Sequence, residues 1–123
     1  MPIFKNDLIH VKIHVSEVPW LIVFTNDVKK EFSHCSVQEK GMIFLALDII
    51  EKKMLSYYQP EKINLASFGN MLPHVHWHIS ARFKEDSYFP EPMWGSVQRE
   101  GKLDLPSFEK FCNEVASELE TSL

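Results

Sequence analysis

Residues 74–83 read HVHWHISARF, and the first six of them alternate histidine with an apolar residue. A period of two is typical of a β-strand, because successive side chains of a strand project to opposite faces. On such a strand His74, His76 and His78 would share one face, with alternate residues about 7 Å apart. The opposite face would carry three apolar side chains suited to a core: Val75, Trp77 and Ile79. The stretch therefore predicts a half-buried strand with three imidazoles in a row.

Three interpretations of this row stay open from the residues alone. The first is a solvated polar strand face, although no Ser, Thr or Lys interrupts the histidines. The second is a metal site, because imidazole is the commonest side-chain ligand of metals. No Asp or Glu lies in the strand or in the turn before it to complete such a site. The third is nucleophilic catalysis on phosphorus, because neutral imidazole is a good nucleophile at pH 7.

Catalysis on phosphorus gives each histidine a role. His76, in the middle, would attack through one ring nitrogen, while the other nitrogen donates to a carbonyl and fixes the tautomer. His74 and His78 would hold phosphate oxygens or protonate the leaving group. The preceding turn, residues 69–73, would add backbone N–H groups and the Asn70 amide as donors to the oxyanion. This interpretation needs no metal and no cofactor.

The segments upstream predict two strands and a long helix. LIHVKIHV at residues 8–15 alternates like a half-buried strand, whereas WLIVFT at residues 20–25 is nearly continuously apolar, like a more central strand. Ser36 and Glu39 form a capping-box pattern that starts a helix running to about Tyr58. Four apolar residues at helical spacing form its buried face: Ile43, Leu47, Ile50 and Met54.

The remaining segments complete an α+β pattern. INLASF at residues 63–68 predicts a strand, residues 84–106 are irregular, and residues 107–119 predict a short amphipathic helix. The order strand, strand, helix, strand, strand, helix indicates an antiparallel sheet with segregated helices. No Gly-rich turn between a strand and a helix suggests a dinucleotide-binding motif or a P-loop.

Length and composition restrict the class of protein. With 123 residues, we expect a single domain over residues 1–123. The net charge of −4 argues against nucleic acid or an anionic membrane as a partner. No apolar run approaches the roughly 20 residues of a spanning helix, and the N-terminus lacks a signal-peptide pattern. Cys35 and Cys112 are single and widely spaced, so we expect reduced thiols in a cytoplasmic protein.

Residues 64–79 resemble the signature of the histidine triad family of nucleotide hydrolases and transferases, in which three histidines alternate with apolar residues. FPEPMWG at residues 89–95 and PWLIV at residues 19–23 look like a bacterial branch often described as diadenosine-polyphosphate-hydrolase-like. The likeness extends over about residues 8–95. It implies an antiparallel sheet of about five strands, one long helix and a C-terminal helix.

The resemblance also implies residue roles. His76 would be the nucleophile that forms a nucleotidyl-histidine intermediate at the α-phosphorus, His78 would contact the phosphate and the leaving oxygen, and His74 would order the site. Asn70 stands near the phosphate, where many members have a glutamine after a glycine. The family is typically a homodimer whose sheets join, and it requires no metal. The implied substrates are small nucleotides: nucleoside phosphate anhydrides of the dinucleoside polyphosphate kind, or nucleoside phosphoramidates.

Two other functions stay open at this point. A nucleotide-binding module with weak catalysis would act through partner proteins, and a metal-dependent histidine-site enzyme would lose activity with a chelator. Trp94, in the Pro-rich stretch, is expected to be a packing aromatic. The alternative is that it covers a base or a dimer partner by stacking.

Overall fold

The computed structural model describes residues 1–123, and five strands with two α-helices form its regular structure. The elements follow one another in this order: β1 (Phe4–Lys5), β2 (Ile9–Ile13), β3 (Trp20–Thr25), α1 (Val37–Tyr58), β4 (Lys62–Ala66), β5 (His76–Arg82) and α2 (Phe108–Ser122). All strand pairs are antiparallel, and the sheet order is β1-β2-β3-β5-β4. The prediction of an α+β fold with a five-stranded sheet is confirmed.

Helix α1 begins and ends where the capping signals predict. The Ser36 backbone N–H donates to Glu39 Oε1 at 2.7 Å, and the Glu39 N–H donates to Ser36 Oγ at 3.0 Å. Gln59 ends the helix in the left-handed conformation, with φ of 51°. The four predicted face residues of α1 are all buried in the main core: Ile43, Leu47, Ile50 and Met54. The helix therefore covers one face of the sheet.

The sheet register places the polar residues of β5 beside the aromatic residues of β3. Trp20 pairs with Ser80 and Phe24 pairs with His76, so these side chains share the face away from α1. Ile79 and its cross-strand partner Leu21 are fully buried on the other face. The central position of β3, between β2 and β5, agrees with its continuous apolar run.

Two differences from the predicted elements concern β1 and β5. β1 spans two residues, too few for any periodic pattern to reveal it. β5 begins at His76, so His74 lies outside the strand and the predicted row of three histidines on one strand is wrong. The reason is backbone hydrogen bonding: the His74 N–H donates to Leu72 O at 2.8 Å and the Val75 N–H donates to Lys29 O at 2.7 Å. These bonds hold the chain out of the sheet.

A buried arginine anchors the irregular segment that follows β5. The Arg82 guanidinium donates twice to the Asp86 carboxylate, at 2.9 and 3.0 Å, and both side chains are almost fully buried. It also donates to Asn64 Oδ1 at 2.8 Å and to the Glu91 carbonyl at 2.7 Å. The anchored segment carries Trp94 back over the polar face of the sheet.

Neither helix combines the length and the apolar character needed to cross a bilayer.

Candidate functional site

A cavity of about 370 Å³ lies over the polar face of β5. Its floor contains His76 and His78, and the turn after β4 forms one wall. The full lining is Phe68, Gly69, Asn70, Met71, Leu72, His76, His78 and Trp94. The structure thus brings together three of the four predicted site residues, Asn70, His76 and His78, whereas His74 is not among the residues that line the cavity.

His76 is held in one tautomer by the backbone. Its Nδ1 donates to the His74 carbonyl at 2.6 Å, and a carbonyl can only accept, so the proton is on Nδ1. In the neutral ring this leaves a lone pair on Nε2. The ring is largely buried and stacks on Phe24, with centroids 5.1 Å apart. The Ser67 hydroxyl donates to the His76 carbonyl at 2.7 Å and fixes the start of β5.

His74 supports the site from outside the sheet. Its ring Nε2 donates to the Thr25 carbonyl at 2.7 Å, which ties the residue to the end of β3. Its own carbonyl accepts the proton of His76. His74 therefore acts on the cavity through His76, by setting the orientation and tautomer of that ring.

His78 carries its proton on the opposite ring nitrogen. The Trp20 indole Nε1–H donates to His78 Nδ1 at 3.0 Å, so Nδ1 has no proton and the neutral ring is protonated at Nε2. Burial lowers the pKa of His78 to about 4, with smaller contributions from the nearby His76 and His14 imidazoles. At pH 7 the residue is therefore a neutral hydrogen-bond donor.

The turn between β4 and His74 lines the cavity and has backbone N–H groups without a backbone acceptor. Gly69 has φ of 91°, a left-handed conformation that suits glycine. The backbone N–H groups of residues 69–72 are not donated to any backbone carbonyl. Asn70 lies in the same turn and lines the cavity. Free N–H groups in a tight turn, together with an amide side chain, are suited to an anion such as phosphate.

Comparison with solved structures identifies the fold. A histidine triad protein from Bradyrhizobium japonicum superimposes with a TM-score of 0.75 at 22% identity, covering 98% of this chain and 88% of that one. One from Sinorhizobium meliloti gives 0.71 at 24% identity, covering 100% and 89%. A Plasmodium falciparum diadenosine triphosphate hydrolase gives 0.65 at 16% identity, covering 98% and 77%. The chain has the histidine triad fold. No family model and no curated protein matches the sequence.

Within the histidine triad fold of this chain, aromatic side chains surround the two cavity histidines, and the sequence interpretation missed Trp20 and Phe24 among them. Trp94 packs edge-on against Phe68, His78 and Trp20, with centroids 4.8, 5.0 and 5.2 Å apart. It is half-exposed, so it both packs, as expected, and walls the cavity. The contributions of Trp20 and Phe24 were hidden in an uninterrupted apolar run. Reading residues 20–25 with a period of two would have placed both on the histidine face.

The geometry gives no support to a metal centre. No three His, Cys, Asp or Glu side chains lie close enough together to hold a metal ion. The two cysteines are buried, unpaired and outside the cavity lining.

Proposed function

We propose that this protein is a nucleotide hydrolase or transferase of the histidine triad kind, cleaving a nucleoside phosphate at its α-phosphorus. The observation that carries the proposal is the state of His76. Its Nδ1–H is committed to the His74 carbonyl at 2.6 Å, which leaves Nε2 with a lone pair on a residue lining a cavity. The similarity in fold to a diadenosine triphosphate hydrolase supports the same conclusion.

The proposed reaction has two displacements at phosphorus. The Nε2 lone pair of His76 forms a bond to the α-phosphorus, and the bond from phosphorus to the leaving group breaks. The intermediate is a nucleotidyl-imidazolium, whose remaining N–H donates to the His74 carbonyl. Water then attacks phosphorus, the P–N bond breaks, its electron pair returns to Nε2 and a proton passes to solvent. The fixed tautomer means that no proton has to leave His76 before it attacks.

Charge on the phosphoryl oxygens would be met by hydrogen-bond donors around the cavity. Those available are the Asn70 amide, the backbone N–H groups of residues 69–72 and the Nε2–H of His78. Preorganised donors of this kind stabilise charge that develops in the transition state. In this proposal the chain needs no cofactor, and the substrate is a small nucleotide rather than nucleic acid.

The decisive experiment is trapping of the intermediate. Incubation with an adenylate donor labelled at the α-phosphate is expected to leave an acid-labile label on His76. His76→Ala should abolish the label and reduce turnover by at least about 10³-fold, as for other nucleophiles. His10→Ala is the matched control, because His10 stacks on the other side of the same Phe24 ring, also at 5.1 Å, outside the cavity lining.

Each alternative gives a distinct result in that experiment. Reversible nucleotide binding without a covalent label would indicate a binding module. A label that appears only when divalent metal is present, and disappears with a chelator, would indicate the metal-dependent enzyme. A label that persists in His76→Ala would show that another residue is the nucleophile.

The proposal includes a homodimer formed through the β4 edge of the sheet. β4 is a terminal strand with one side unpaired. Exposed apolar side chains lie on and near it: Leu65, Phe68 and Phe44. Unpaired strand edges and apolar patches favour association with another copy. Sedimentation velocity should show a dimer for the natural chain and a monomer for Leu65→Lys. A natural chain that remains monomeric at micromolar concentration would contradict the proposed homodimer.

The proposed compartment is the cytoplasm. Cys35 and Cys112 are both free and buried, an arrangement common where thiols stay reduced.

A further inference from the structure

The indole of Trp20 meets His78 because of the register between β3 and β5. Trp20 pairs with Ser80, which makes it the diagonal neighbour of His78 on the same face. Diagonal neighbours are within reach of each other when a side chain is aromatic. The result is the 3.0 Å hydrogen bond from Trp20 Nε1 to His78 Nδ1. An indole can only donate, so this bond excludes a proton from Nδ1.

No charged group near His78 opposes its neutral state without a proton on Nδ1. The titratable side chains facing it are His76 on its own strand and His14 from the end of β2, with ring centroids 5.1 and 6.2 Å away. β4 presents Ala66 as its cross-strand partner, and the segment after β5 presents Trp94. No carboxylate is among the side chains that face His78, so no charge of the protein stabilises an imidazolium at this position, and burial disfavours it.

We propose that Trp20 is a positioning residue that fixes His78 as a neutral donor through Nε2–H, so that the site favours leaving groups that depart as anions. The inference rests on the proposed function. A neutral imidazole that gave up its only N–H proton would become an anion in a buried site, which is costly. His78 can therefore hydrogen-bond to the reacting phosphate without transferring a proton to the leaving group.

This restriction separates the two substrate classes that fit the site. In an anhydride, the bond from phosphorus to the bridging oxygen breaks, the electron pair stays on oxygen, and the product phosphate is stable as an anion at pH 7. In a phosphoramidate, the electron pair stays on nitrogen, and the amine needs a proton as it departs. With the proton retained on His78 Nε2, cleavage of a nucleoside phosphate anhydride is favoured over cleavage of a phosphoramidate.

The tautomer itself can be tested without activity. Long-range ¹H–¹⁵N correlation spectra of the ring should show His78 protonated only at Nε2 in the natural chain. In Trp20→Phe, which keeps an aromatic ring but removes the N–H, the Nδ1-protonated form should appear. The His78 pKa should rise by about half to one pH unit, the effect of one net hydrogen bond.

Trp77→Phe is the matched control for that measurement. Trp77 lies between His76 and His78 in the chain, but its indole Nε1 is buried without a partner. Removing this N–H should leave the His78 tautomer and titration unchanged. An unaltered His78 tautomer and titration in Trp20→Phe would overturn the role of Trp20, as would equal changes in both variants.

The substrate preference is tested with an adenylate anhydride and adenosine 5′-phosphoramidate, compared by kcat/KM at pH 7. We expect the natural chain to prefer the anhydride by at least about tenfold, and Trp20→Phe to narrow that ratio several-fold below pH 6. Preference of the natural chain for the phosphoramidate would overturn the inference. If neither substrate is cleaved, the proposed function and the substrate preference both fail, while the spectra still decide the role of Trp20.

Discussion

The two faces of β5 are stabilised by different kinds of interaction. On the face toward α1, Ile79 and Ala81 are fully buried in an apolar core, where contacts have no preferred direction. On the opposite face His76, His78 and Arg82 each depend on a particular atom of another segment. The apolar face therefore tolerates apolar side chains of similar size, whereas the polar face loses its arrangement when a single hydrogen-bond partner is removed.

The largest effect on stability is expected where a buried charge loses its partner. Asp86→Ala leaves the Arg82 guanidinium, which is 1% exposed, without its carboxylate. Breaking a buried ion pair in this way costs about 3–5 kcal/mol. Urea denaturation should show this loss. The double variant Arg82→Met with Asp86→Leu, which removes both charges, should recover much of it. A single-variant loss below about 1 kcal/mol would mean that the pair is not held as described.

The same carboxylate makes stability depend on acid pH. Burial alone would raise the pKa of Asp86, but hydrogen bonds to its carboxylate outweigh burial and hold the pKa below its usual value. The donors of these hydrogen bonds are the Arg82 side chain and the backbone N–H groups of Phe83, Phe89 and Tyr88. A depressed carboxyl pKa stabilises the fold above the unfolded value of about 3.9, and this stabilisation is lost as pH falls through the lower folded pKa. The free energy of unfolding should therefore decline in this acid range. The free energy of unfolding of Asp86→Asn should decline less steeply with falling pH than that of the natural chain.

The apolar face explains why so much of the fold was predictable. Helix α1 and strand β3 match their predicted boundaries because capping residues and apolar periodicity act over a few neighbouring positions. The polar face combines residues that are distant in the chain. Trp20 reaches His78 across 58 positions, and no local pattern encodes that contact. His76, His78 and Asn70 were placed at one cavity, but their partners depend on strand register.

His74 shows where local patterns fail. The alternation of residues 74–79 predicts a strand that includes it, because periodicity carries no information about where pairing stops. In the structure, β3 ends at Thr25, so His74 has no cross-strand partner on β3, and its ring instead donates to the Thr25 carbonyl. The end of the neighbouring strand, which is a tertiary property, decided the role of this histidine.

A smaller effect is expected for a conservative change on the apolar face. Ile79→Val removes one methylene from a fully buried site and should lower the free energy of unfolding by about 0.5–1.5 kcal/mol. Because Ile79 points away from the cavity, covalent labelling of His76 should be unchanged. Stability is measured by urea denaturation and labelling with the adenylate donor. If Ile79→Val keeps its fold but loses the label on His76, the apolar and polar faces of β5 are coupled more tightly than their contacts suggest.

The smallest effect is expected for Trp77→Phe, compared with Trp20→Phe, because the indole N–H of Trp20 has a hydrogen-bond partner and that of Trp77 has none. Trp20→Phe removes a hydrogen bond and leaves His78 Nδ1 unpaired, which should cost about 1–2 kcal/mol. Trp77→Phe removes a buried N–H that has no acceptor, so the lost ring contacts are offset by a removed desolvation penalty, and the change should stay within about 0.5 kcal/mol. Both are measured by urea denaturation at pH 7, where His78 is neutral. Equal losses would mean that ring packing, not the hydrogen bond, holds Trp20 against the histidine.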